Sequence, residues 1–151
     1  MRRLLFTTAI LAGVLCSNLP LTAHHSSAWF DMSKETTVTG QITRVAWTNP
    51  HILVYVEGNH ATNGKETFVL QGLPPNGATR TGVTKERLQA GMAITARVYL
   101  PRASLFVDDR QTVLQGTSTP ASVRIVEAGE IRLENGETMT LGRGPGFKGI
   151  Q

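Results

Sequence analysis

The chain has 151 residues, 40% hydrophobic and 17% charged, with a formal net charge of +4 and a single cysteine. That length supplies about one domain. The basic residues form no dense stripe of the kind nucleic acid requires, one cysteine excludes an internal disulfide framework, and a mixed, solvated surface is the expectation.

Arg2 and Arg3 make a positive start, residues 4–15 an apolar core, and Leu21, Thr22 and Ala23 a small-residue cleavage site. This is the layout of a secretory signal peptide. As a membrane anchor the stretch falls short of the ~20 apolar residues a spanning helix needs. Cys16 invites a lipoprotein reading, but bulky Leu15 precedes it where a small residue is usual. Cleavage after Ala23 leaves 128 residues, no cysteine, and 13 basic against 11 acidic side chains. Such an exported domain stands on its hydrophobic core.

Residues 24–31 (His-His-Ser-Ser-Ala-Trp-Phe-Asp) read as a short segment tucked against the domain. Residues 40–57 read as strand, tight corner, strand, with Asn49 and Pro50 at the corner because proline restricts its own φ and the residue before it. The first strand is expected over residues 36–47. Its apolar positions change parity, Val38 and Ile42 against Val45 and Trp47, so a bulge or bend is predicted near Thr43 and Arg44. Residues 52–56 are apolar throughout, as in a strand covered on both faces. Residues 58–64 read as a turn, 66–71 as a strand and 73–82 as a loop. Thr84 to Gln89 fits one or two helical turns capped by Thr84 and ended near Gly91.

Residues 93–100 alternate cleanly, Ile94, Ala96, Val98 and Leu100 against Thr95, Arg97 and Tyr99, predicting one buried and one wet face. Residues 101–120 show no period and read as a long loop with at most one helical turn. Near the end, parity decides the turn. A loop of Glu134, Asn135 and Gly136 pairs Ile131 with Met139 and aligns the apolar residues, with Gly136 in the left-handed position. Residues 123–141 are then either a three-stranded meander or one long strand bulged at Ala128 and Gly129 plus a return strand.

Strand, strand, strand, short helix, strand, strand is the order of the OB-fold, a small Greek-key barrel; a β-sandwich is the rival. The expected organisation is a signal peptide (1–23), an N-terminal segment (24–35), an all-β OB-like barrel of five or six strands with one short helix (36–142), and a flexible tail (143–151).

No Gly-x-Ser-x-Gly elbow, His-Glu-x-x-His or phosphate loop is present, so the chain is expected to be non-enzymatic. The chemical signal is its histidines. His24, as a new N-terminus, would chelate through its α-amine and ring nitrogen, a pairing suited to Cu(II), with His25 or His51 adding a third nitrogen. The bland alternatives are an exposed polar terminus and a His51 that only hydrogen-bonds the corner. His60 reads as turn surface. Trp47, Trp29 and Phe30 offer either a stacking platform or ordinary core packing.

His24-His25-Ser26, Phe30-Asp31 and Gly40-x-Ile42-x-x-Val45-x-Trp47-x-Asn49-Pro50-His51 together resemble domain-of-unknown-function family 6152, small exported bacterial proteins. The resemblance is good from His24 to about Leu100, weakens over residues 101–120 and resumes loosely at Leu133-Glu134-Asn135-Gly136. It implies an exported OB-like domain and supplies no activity, substrate or catalytic residue. The expectation is therefore a periplasmic or secreted binding protein that recognises a small ligand or an envelope protein through Trp47, Asn49 and His51. The alternative is a copper-binding protein with His24, His25 and His51 as ligands.

Overall fold

The first strand, β1 (Phe30–Trp47), is 18 residues long, and the rest of the fold is built along it. The computed structural model describes residues 26–60, 64–117 and 123–143. The expected signal peptide, His24, His25 and the tail from residue 144 lie outside them. A 3-10 turn (Ser26–Trp29) precedes β1, which is followed by β2 (Ile52–His60), β3 (Gly64–Gln71), α1 (Pro75–Arg80), β4 (Ala93–Pro101), β5 (Leu105–Val107), β6 (Val113–Gln115), β7 (Val123–Leu133) and β8 (Thr138–Thr140). None of the described helices is long and apolar enough to cross a membrane.

The sheet runs β3-β2-β1-β4-β7-β8, and a further pairing of β3 with β7 closes the first five strands into a ring. Every ladder is antiparallel except β3 with β7. This is the expected all-β fold with one short helix between the third and fourth strands.

The bulge lies where the parity change demanded it. Ile42 pairs with Val56, and after a register shift Arg44 pairs with Tyr55. The extra residue flips the side-chain alternation, so Val38 and Ile42 before it, and Val45 and Trp47 after it, all pack on the inner core. Gly40 sits just upstream because β1 and β2 run too close there for a side chain: a β-carbon would collide with the Glu57 carbonyl.

Inside the ring, Ile52, Val54, Val56, Phe68, Leu70, Ala96, Val98, Val126 and Ile131 are fully buried. A second cluster lies on the outer face, with Leu53, Val69, Tyr99, Ile125 and Phe30, under Leu105 and Val113 of the β5–β6 hairpin. The apolar run of residues 52–56 is thereby covered on both faces at Ile52, Leu53, Val54 and Val56, while Tyr55 is only partly covered.

Several elements differ from expectation: β1 begins at Phe30 and not at residue 36, taking in part of the expected N-terminal segment, and Tyr99, on the face of β4 expected to be wet, is buried in the outer cluster. The α-helix is residues 75–80, inside the expected loop, while Thr84 to Leu88 makes only one turn through the Arg87 and Leu88 amides to the Thr84 carbonyl. Pro75 opens the helix where its missing N–H costs nothing, and Gly82, at φ +82°, follows its end, the usual proline-first, glycine-last asymmetry. Residues 58–60, expected as turn, continue β2. The expected loop at 101–120 contains the β5–β6 hairpin, whose short strands are too brief to show a period.

The C-terminal hairpin resolved in favour of one long strand. β7 is irregular between Ala128 and Ile131, opposite Val98 and Ala96, and Ile131 pairs with Met139. Gly136 takes φ +83° as the loop requires.

Candidate functional site

Trp47 ends β1, and Asn49 and His51 lie in the corner that leads to β2. Thr48 Oγ1 donates to the His51 carbonyl at 3.3 Å, and the exposed Asn49 and Pro50 are joined by a cis peptide bond. Three backbone bonds fix the corner from below. The Gly72 amide donates to Ile52, the Ile52 amide to Leu73, and the Leu73 amide to Leu141.

His51 is half-buried, and its Nδ1 lies 2.8 Å from the Gly72 carbonyl. A carbonyl can only accept, so Nδ1 carries the proton in this contact and Nε2 holds the lone pair of the neutral ring. Burial holds the imidazole below its ordinary pKa; the Gly72 bond opposes this and the Arg143 charge adds to it. The ring is therefore neutral at pH 7. A neutral imidazole whose second nitrogen donates to a backbone carbonyl is the arrangement in which histidines ligate metals.

Beside this corner lies a polar pair the sequence reading missed. Gln71, at the end of β3, and Glu127, in β7, are both buried, and Gln71 Nε2 donates to Glu127 Oε2 at 2.9 Å. Burial pushes the Glu127 carboxyl up to about 7, against the Gln71 bond and the amide and charge of Arg143. Gln71 Oε1 has no hydrogen-bond partner among the described residues. The available signal was a carboxylate inside the apolar run Ile125, Val126, Glu127, Ala128.

Trp47 is half-buried against the inner core, whereas Trp29 and Phe30 belong to the outer cluster. The three aromatics thus form no single stacking platform; Trp29 and Phe30 fasten the N-terminal segment to the outer face. Among the described residues no three His, Cys, Asp or Glu side chains are grouped to hold a metal ion. Open grooves of about 530 and 540 Å³ lie away from the corner, at the base and the tip of the β5–β6 hairpin.

No curated protein and no solved structure matches the chain. One family model does match, over residues 11–107, from upstream of the first described residue to the last residue of β5. The chain belongs to that family, the family of unknown function DUF6152.

Proposed function

We propose that the protein is an exported, non-enzymatic binding domain that recognises a small ligand or an envelope protein at the β1–β2 corner through Trp47, Asn49 and His51. The observation that carries this is the His51 imidazole, held neutral by burial and oriented by the Gly72 carbonyl, beside an exposed Asn49. The inside of the ring is filled by apolar side chains, so recognition falls to the rim. The corner also lies within the span matched by the family model. Mature protein immobilised through its C-terminus would retain a partner from envelope extract, and Asn49→Ala and His51→Ala would each retain about ten-fold less, with Asn49→Ala melting unchanged. Equal retention by all three proteins would refute the corner as the site.

The neutral state of the half-buried imidazole favours a second reading, Cu(II) binding by His51 together with His24 and His25, because the neutral ring is the form that ligates a metal. Mature protein, its N-terminus confirmed by intact mass, is titrated with Cu(II) and Zn(II) beside His24→Ala and His51→Ala. A ligand that binds only the native state raises the melting temperature by mass action. A Cu(II)-dependent rise lost in both variants supports the metal site; no rise in any protein removes it.

A further inference from the structure

The β5–β6 hairpin is a separate two-stranded sheet, outside the closed ring. Its ladder pairs Leu105, Phe106 and Val107 with Gln115, Leu114 and Val113. Turn bonds stay within it: the Asp108 amide to the Thr112 carbonyl, the Gln111 amide to the Asp108 carbonyl, and the Gly116 amide to the Ser104 carbonyl. An isolated two-stranded hairpin is marginal in water. This one rests its Leu105 and Val113 side chains on Leu53, Val69 and Ile125 of the ring's outer face.

Among the described residues, Gln111 makes the side-chain hydrogen bonds that fasten its tip. Gln111 Oε1 accepts from the Tyr55 hydroxyl at 2.8 Å and from the Arg44 guanidinium, which itself stacks 4.3 Å above the Tyr55 ring. Gln111 holds φ +61°, the one described non-glycine residue in the left-handed region. That conformation is costly for a residue with a side chain and persists where surrounding contacts enforce it. The open grooves at both ends of the hairpin let solvent reach the seam from base and tip.

We infer that the hairpin is a strap: it lifts from the ring as a unit, independently of the ring strands, and Gln111 is the latch that holds it down. Closed, it shields the apolar face of Leu53, Val69 and Ile125; open, it bares that face while the ring stays intact. This inference is independent of the role proposed for the β1–β2 corner.

Hydrogen exchange of the full chain, read by segment, tests it. Amides of residues 105–107 and 113–115 are expected to exchange at least ten-fold faster than those of residues 53–56 and 68–71, as separate opening units do. Gln111→Ala removes both latch bonds and speeds hairpin exchange about ten-fold further, raises fluorescence of an apolar dye, and leaves ring exchange unchanged. Gln111→Gly loses the same bonds without the backbone penalty and is expected to open nearly as much, which separates latch from strain. Hairpin amides as protected as the ring, hairpin and ring loosening together in either variant, or hairpin exchange unaltered by both variants would each overturn the strap.

Discussion

The ring and the hairpin are both built of strands set on apolar side chains, yet they are held in different ways. Each of the five ring strands is hydrogen-bonded on both sides, and the parallel β3–β7 ladder leaves the circle without a break. The hairpin strands pair with each other, rest on a few side chains and are bonded to the ring at Gln111. Closure makes every ring strand depend on every other; an appendage held by side chains fails alone. Cooperativity here follows connectivity more than apolar content.

The contrast breaks most severely at Gly40. A methyl there would collide with the Glu57 carbonyl, so Gly40→Ala is expected to cost more than about 4 kcal/mol or abolish folding, measured as urea midpoint and soluble yield. Leu70→Ala and Val113→Ala sharpen the contrast as a pair. Leu70 is fully buried inside the ring, and its truncation should cost about 3 kcal/mol and lower protection of the whole ring. Val113→Ala should cost about 1 kcal/mol and loosen residues 105–115 alone; a global loss of protection would erase the distinction between the two regions.

Glu127 asks to which region the outer face belongs. Its folded pKa, about 7, is raised above the unfolded value, so the stability it confers is full below about pH 4.5 and is lost as pH rises through about 7. Wild type should therefore be roughly 3 kcal/mol less stable at pH 8 than at pH 5 from this group, and Glu127→Gln should abolish that decline. His51 acts with the opposite sign. Its pKa is lowered, so its contribution holds above about pH 6.5 and falls away as pH drops. Glu127→Gln protein should then show only the acid-side loss. If chemical melts followed at a ring and a hairpin probe diverge in this pH response, the pair belongs to the ring's own transition. An effect as small as that of Val113→Ala is expected at Gly136, where φ +83° is open to a β-carbon sterically but not conformationally; Gly136→Ala should cost about 1 kcal/mol, confined to β8.

Where one apolar pattern had one geometric solution, the sequence was legible. The parity change across Ile42 and Val45 required an extra residue, and Ile131 with Met139 required a three-residue loop; both are present. The hairpin was invisible because strands of three residues carry no measurable period and its turn depends on Asp108 accepting the amides of Arg110 and Thr112. The helix was displaced because Thr84 looks like a cap, while the proline-first signal at Pro75 was read as loop. At the corner, Trp47, Asn49 and His51 were legible as a motif. The polar pair beside them was not: Gln71 and Glu127 meet only because β3 and β7 are neighbours, a pairing no local pattern encodes.

The ladder that closes the ring also has a kinetic side. It joins Gln71 to Glu127, partners 56 positions apart in sequence, and contacts so distant carry a loop-closure penalty before they return any stability. Until β7 arrives, β1 to β4 form an open sheet with two raw edges, the state in which strands find wrong neighbours. The ring should therefore close only when the last long strand is in place, and a chain stopped before residue 123 should be aggregation-prone rather than partly native.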